Sequence, residues 1–297
     1  MGLVRSGLPE AQRRLAPTRG GLRERERDEN FPVVLRVLPK AVRTDLHAVY
    51  AVARTIDDLG DLAPGDRTAA LHDFRADLHQ IWRDRAPRRP VLRALAPTVR
   101  ARGLTAEPFD RLIEANLIDQ WVTRYDTFGD LLRYCRLSAE PVGRLVLDLF
   151  DQSSPAAAEL SDRVCQALQL LEHWQDVGED RGMGRVYLPA EDLAAFGVRE
   201  TDLDSPHAND ALRELMAFET ERAARLLESG APLLAHLRGW ARVAVLCYIA
   251  GGRAAVRALR RAGWDVLGCP ARTRRRDIAL EAAALLLRAP TAGGVSP

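Results

Sequence analysis

Residues 166–189 read QALQLLEHWQDVGEDRGMGRVYLP. Ala167, Leu168, Leu170, Leu171 and Trp174 recur at helical spacing and give the stretch apolar faces. Gln169, Glu172, Asp176 and Asp180 follow one another along one side, where neighbouring Cβ atoms lie about 5–6 Å apart. Carboxylates in one stripe repel. Two like charges about 4 Å apart cost on the order of 4 kcal/mol at an effective dielectric near 20, and less at helical spacing. No Lys or Arg stands between Glu172 and Asp180; Arg181 comes only after them. Two readings are open: a solvated acidic face near a helix end, or an acid helix neutralised from outside by a divalent cation.

A second patch favours the cation. Residues 50–61 read YAVARTIDDLGD. Val42, Leu46, Val49, Ala53 and Ile56 mark a helix whose apolar face runs straight into acids. Asp57 and Asp61 share a face, Asp58 lies beside them, and Tyr50 and Arg54 fall near the same side. Mg²⁺ takes hard oxygen ligands and commonly uses one or two carboxylates together with substrate phosphate. Two acid helices facing across a cavity therefore suit metal ions that hold a departing diphosphate. One such acid pair is weak evidence in a chain that is 28% charged. Two pairs on amphipathic helices, with Arg, Gln and Tyr alongside, say more.

Outward from these patches, helical periodicity dominates and alternating strand patterns are scarce. The spacing predicts a long helix over 40–60 and others near 67–84, 90–102, 107–122, 128–150, 156–179, 208–228, 232–262 and 274–288. Pro32 and Pro39 bracket a short one. Thr127 and Asp130 read as a capping box. Pro141 inside the 128–150 pattern should kink that helix. Ser138, Ala139 and Gly143 there are small enough for close packing, or to leave room for a long apolar ligand. Gly251-Gly252 suggests close helix packing. The expected fold class is all-α, a single-domain helical bundle. Residues 1–28, rich in Arg, Gly and Pro, are expected to be a flexible N-terminal segment, 29–290 the helical domain, and 291–297 a loose tail.

Composition excludes several classes. The chain of 297 residues is 47% hydrophobic with a net charge of +2. No basic stripe is interleaved with aromatics, so no nucleic-acid partner is expected. Cys135, Cys165, Cys247 and Cys269 lie far apart with no CxxC spacing, which suits reduced thiols. Neither a secretory leader pattern nor an apolar run of spanning length is visible. The expectation is a cytoplasmic protein, at most peripheral to the inner face of the membrane. Dinucleotide, P-loop, zinc-protease and serine-hydrolase signatures are absent. Asp119 is one more acid on an apolar helix, and His47 and His173 read as structural or rim residues.

ARTIDDLGD and QDVGEDRGMGRVYLP resemble the two aspartate-rich motifs of the squalene/phytoene synthase family. ENFPV at 29–33, SAEPVGRLVL at 138–147, and WQDV followed by GRVYLP look most like its hopanoid-pathway hydroxysqualene synthase branch. The resemblance spans roughly residues 29–270. It implies the isoprenoid synthase-type bundle with a central apolar cavity, and Mg²⁺ as cofactor. It implies Asp57, Asp58, Asp61, Asp176 and Asp180 as metal ligands, with Glu172 where the family usually has Asn. Tyr50 and Arg54 match positions that touch the diphosphate or its metals. Phe31 matches an aromatic near the reacting carbons, Asp119 a cavity acid and Gln169 a cavity Gln. Gln175 clusters with Gln169 and Glu172 where a water could be held. Leu62 and Cys269 depart from the pattern; Arg272 and Arg274 are the candidates to replace the Arg that the family carries near Cys269.

The implied activity is Mg-dependent ionisation of presqualene diphosphate and capture of the rearranged cation by water. A flavin-dependent enzyme would then reduce the alcohol. The alternative is a head-to-head condensing synthase acting on farnesyl diphosphate to give presqualene diphosphate, dehydrosqualene or phytoene. A non-catalytic helical assembly factor is the reading from another class.

Overall fold

The computed structural model describes residues 38–268 and 271–288, and all regular secondary structure among them is helical. Phe31, the 29–33 stretch, the helix expected between Pro32 and Pro39, Cys269 and both expected flexible ends lie outside the described residues. The elements are α1 (Lys40–Asp61), α2 (Arg67–Leu78), α3 (Pro90–Arg102), α4 (Glu107–Ile118), α5 (Phe128–Ser138), α6 (Glu140–Leu149) and α7 (Pro155–Gln175). They continue as α8 (Val177–Gly182), α9 (Ala190–Ala195), α10 (Asp210–Gly230), α11 (Leu233–His236), α12 (Gly239–Arg261) and α13 (Arg275–Arg288). Short 3-10 turns occupy Ile81–Arg83 and Glu200–Asp204.

Local chemistry sets the starts. Asp66, Thr127, Ser154 and Asn209 each accept a hydrogen bond from a backbone N–H of the first turn of α2, α5, α7 and α10. The capping box of Thr127 and Asp130 is present. Three expected helices are each divided into two α-helices, and those expected over 67–84 and 107–122 end early, at Leu78 and Ile118. The 128–150 segment is two helices, broken at Ala139 (φ −116°, ψ −48°), so Pro141 starts α6 and does not kink one continuous helix. In a first turn its missing N–H costs nothing. The 232–262 segment divides into α11 and α12.

The third departure touches the chemistry. The 156–179 helix ends at Gln175, and Asp176 (φ −108°, ψ 15°) separates α7 from the short α8. The acidic stripe therefore turns a corner after Glu172. The Asp180 amide still donates to the Asp176 carbonyl at 2.8 Å, which keeps the corner tight.

Helix α7 packs against α5, α6, α10 and α12. Leu170, Leu171 and Trp174 bury one of its faces among α5, α8 and α10 residues, and Val164 and Ala167 bury another against α12. A separate cluster joins α1 to α2, α3 and α4. Truncating a side chain such as Trp174, which is 0% exposed, typically costs about 3–5 kcal/mol. Gly252 sits where a Cβ would come within 2.8 Å of Leu168 and Leu227, so the close packing expected there is real. Between the α1 and α7 sides the bundle keeps a large space open.

Candidate active site

A cavity of about 1340 Å³ runs between α1, α6, α7 and α12, larger than the roughly 300–1,000 Å³ of an ordinary small-molecule pocket. Its two linings differ in chemistry. Tyr50, Arg54 and Asp57 of α1 line the polar part together with Gln169, Glu172, Gln175 and Asp176. Glu179, Arg181, Asp204, Arg272 and Arg275 add charge there. Apolar and small side chains line the remainder, among them Val49, Leu145, Val164, Leu168 and Val245. Gly143 belongs to this lining, and a Cβ on it would come within 2.5 Å of the Cys165 Sγ.

Seven of the residues singled out from the sequence thus share one cavity: Tyr50, Arg54, Asp57, Gln169, Glu172, Gln175 and Asp176. Asp58, Asp61, Asp119 and Asp180 lie off its lining. Arg54 reaches Asp58 at 3.2 Å, and Arg185 donates to Asp61 at 2.8 Å. Tyr134 donates to Asp119 at 2.7 Å. Asp180 faces His173 at 3.7 Å in a small separate pocket that includes Arg185 and Tyr187. Of the six motif acids, Asp57, Glu172 and Asp176 line the cavity and Asp58, Asp61 and Asp180 do not. Among the described residues no group of three His, Cys, Asp or Glu side chains stands close enough to hold one ion. Arg54, Arg185 and His173 engage the three acids that stand off the lining, Asp58, Asp61 and Asp180. Arg272 lines the cavity and Arg274 does not; Arg275, unremarked in the sequence, does.

Burial perturbs the acids that remain. It pushes the Asp57 carboxyl up to about 6; the Asn116 hydrogen bond (3.1 Å) and Arg54 oppose the rise, and Asp61 and Asp58 add to it. Burial lifts Asp176 to about 6 as well, with Asp180 and Glu179 pushing the same way and His173 opposing. Asp119 reaches about 6 from burial, against the Tyr134 hydrogen bond and the charges of Arg185 and His173. Such shifts mean that the carboxylates are costly as they stand. The donor set is hard oxygen, and a divalent cation would remove that cost, so the residues fit one.

Several residues here escaped the sequence reading. Arg185 stands 124 positions from Asp61, and Asn116 is 59 from Asp57. No local spacing reveals such pairs. Gly60 makes room for Asn116, since a Cβ there would collide with its side chain. His173, expected to be a structural or rim residue, is buried and stacked on Tyr187 with ring centroids 3.7 Å apart, and its Nε2 lies 3.2 Å from the Gln169 amide nitrogen. Arg181 pairs with Glu200 and Asp204, and Arg124 also pairs with Glu200, tying α8 to the 3-10 turn behind it.

Comparison with known proteins places this geometry. The family model for squalene/phytoene synthase matches residues 24–279. Hydroxysqualene synthase of Rhodopseudomonas palustris is 33% identical over 217 residues, covering 72% of this chain and 73% of that protein. Phytoene synthase of Mycobacterium tuberculosis is 36% identical over 214 residues, 70% of each chain. The crystal structure of squalene synthase HpnC from Alicyclobacillus acidocaldarius superposes with a TM-score of 0.76 at 39% identity, covering 86% of this chain and 94% of that one. The helical bundle is thus of the isoprenoid synthase type, and the protein is an enzyme belonging to the squalene/phytoene synthase family.

Proposed function

We propose that this enzyme is a hydroxysqualene synthase. It ionises presqualene diphosphate with the help of Mg²⁺ and directs water onto the rearranged cation. The observation that carries the proposal is the continuity of one cavity: a carboxylate- and arginine-lined part opens directly into an apolar part. That is the division a long apolar diphosphate requires. Resemblance to hydroxysqualene synthase, at 33% identity over most of the chain, supports the choice within the family.

Asp57, Glu172 and Asp176 are the lining acids that would hold Mg²⁺; Asp61 and Asp180 stand about one turn along, held by Arg185 and His173. When bound, Mg²⁺ supplies positive charge to the leaving diphosphate. Arg54, Arg272 and Arg275, which line the same part, add fixed positive charge for that anion. The apolar walls exclude bulk water from the cation. Gln169 and Gln175, which line the cavity, would orient the one water that attacks: its oxygen bonds to the cationic carbon and its proton passes to the departed diphosphate. A reductive, flavin-dependent enzyme would consume the alcohol. The protein would work in the cytoplasm, at most peripheral to the inner face of the membrane. No helix among the described residues is long and apolar enough to cross a membrane.

Phytoene synthase of Mycobacterium tuberculosis, matched at 36% identity, keeps a second reading in play, condensation of two prenyl diphosphates. Purified enzyme supplied separately with presqualene diphosphate and farnesyl diphosphate, with Mg²⁺ and no nicotinamide, separates the two. Presqualene diphosphate should be consumed to an alcohol that carries the label from ¹⁸O-water, with little C30 product from farnesyl diphosphate. Efficient condensation of farnesyl diphosphate, with presqualene diphosphate accumulating or passing to an oxygen-free hydrocarbon, would transfer the assignment to the condensing reaction.

A further inference from the structure

Helix α13 carries an exposed apolar stripe on its outer face. Leu280, Ala283 and Leu287 follow one another at steps of three and four, with Ala279 and Leu286 beside them, and all of these are exposed. Leu280 is 59%, Leu286 61% and Leu287 87% exposed. The two acids of the helix are turned the other way. Asp277 is held by Arg261 at 2.7 Å, and Glu281 by Arg257, and both carboxylates are nearly buried against α12. Outward from Ala279 to Leu287 the exposed side chains are apolar, preceded by the exposed arginines Arg272 and Arg274 and by Arg276, which stands 3.7 Å from Asp277.

An apolar stripe with arginines at one end and no exposed acid is the pattern of a helix that lies in the surface of an anionic bilayer. We propose that α13 is such a surface, and that its occupant is the headgroup region of an anionic lipid bilayer. Charge decides between occupants. A second copy presenting the same face would bring the same arginines to it and no exposed acid, whereas anionic headgroups neutralise them. Position supports the assignment. Arg272 and Arg275, just before and at the start of α13, also line the cavity, so a bilayer seated on α13 lies close to it. If the cavity handles a C30 lipid, as proposed above, the product then passes from cavity to bilayer along a short path. Binding itself does not depend on that reading.

Co-sedimentation of the full chain with vesicles tests the proposal. Wild-type protein should pellet with phosphatidylcholine–phosphatidylglycerol vesicles and much less with phosphatidylcholine alone. The preference should weaken at about 0.5 M salt, where the screening length falls to a few ångströms. The double variant Leu280→Glu/Leu287→Glu should lose roughly tenfold or more of its partition. It should keep its helical circular dichroism and its turnover of detergent-dispersed presqualene diphosphate. Arg274→Gln/Arg276→Gln should reduce the preference for anionic vesicles while leaving weak binding to neutral ones. Failure of wild-type protein to bind, equal binding to both vesicle types, or unchanged binding by the leucine variant would overturn the proposal. So would a wild-type dimer that the leucine variant splits, with no vesicle binding by either. Vesicle binding is read without turnover, so binding that persists when presqualene diphosphate is not consumed refutes the reaction and not this surface.

Discussion

The two acidic patches look alike in sequence and are different objects in space. The first lies on one unbroken helix, and its acids are engaged from several directions: Asn116 on Asp57, Arg54 on Asp58, Arg185 on Asp61. The second straddles the junction of α7 and α8, and the charges acting on Asp176 are mostly its own neighbours, Asp180 and Glu179, with His173 alone opposing. The first patch is partly neutralised by the protein; the second is less so, and under the proposed reading more of its charge is left to Mg²⁺. Asp57 and Asp176 nevertheless end with similarly raised carboxyl groups, because burial is the largest cause at both.

The sharpest way to break this comparison is to remove the charges. Asp57→Asn and Asp176→Asn should each lower turnover of presqualene diphosphate by at least about a thousandfold, equivalent to roughly 4 kcal/mol of transition-state stabilisation. Neither should lower the thermal midpoint in the absence of metal at pH 7. Each carboxyl sits near 6 against an ordinary 3.8, so the stability it contributes is complete only below 3.8 and is lost as pH rises through 6. Added Mg²⁺ should raise the midpoint of the wild type and of neither variant. Near-wild-type turnover in either variant at saturating Mg²⁺ refutes a shared metal site.

Arg185 is the residue that makes the first patch different, since it reaches Asp61 from the chain segment that follows α8. Its side chain is 12% exposed, whereas that of Asp61 is 34% exposed and so is partly screened. Arg185→Gln should destabilise the fold by about 2–3 kcal/mol, less than for a fully buried pair. Chemical denaturation of Arg185→Gln/Asp61→Asn should recover part of that loss. Two losses that simply add would show that the pair does not couple the patches.

What the sequence made legible followed from short-range periodicity. The amphipathic pattern from Val42 to Asp61 and the apolar spacing of Leu170, Leu171 and Trp174 located both acid helices, and nearly every expected helix exists. The breaks at Ala139 and Asp176 were hidden. At Ala139 the pattern of apolar residues continues across the break, and Pro141 fits a first turn as well as a kink. At Asp176 hydrogen bonding runs through the corner although the backbone angles do not. Of the candidate site, the cavity residues were readable because each lies on a face with another. The side chains that engage Asp58, Asp61 and Asp180 were not all readable. Arg54 is one turn from Asp58, but Arg185 meets Asp61 only through the tertiary fold.

Glu219 supplies a control for the role of burial. It lies on α10, away from the cavity lining, and burial lifts its carboxyl to about 8, with Arg222 opposing and Asp192 contributing to the rise. Its ordinary value is 4.5, so the folded protein holds a proton that the unfolded chain releases between those values. Stability from this group is complete below 4.5 and falls as pH rises through about 8. Glu219→Gln should flatten the stability profile across that window by on the order of 2 kcal/mol and leave the Mg²⁺-dependent rise in thermal midpoint intact. Denaturation with and without Mg²⁺ at several pH values checks both outcomes. A metal response lost along with the slope would mean that burial alone does not separate Glu219 from Asp57 and Asp176.

The smallest expected effect falls on Glu172, the last residue of the stripe before the corner. It lines the cavity beside Gln175 and Asp176, and related synthases usually carry Asn at its position, by the resemblance noted above. Glu and Asn both offer an oxygen to a hard cation, but Glu adds a negative charge to a patch that already pushes Asp176 upward. Glu172→Asn should therefore keep turnover within a fewfold of wild type, since the oxygen remains and one repulsion is gone. Glu172→Leu removes the oxygen and should raise the Mg²⁺ concentration for half-maximal activity several-fold, on the order of 1 kcal/mol. A titration of turnover against Mg²⁺ for the wild type and both variants reads the difference directly. If Glu172→Leu needs no more Mg²⁺ than the wild type, Glu172 belongs to the solvated face of α7, and the second patch holds its cation through Asp176 and its neighbours on α8 alone.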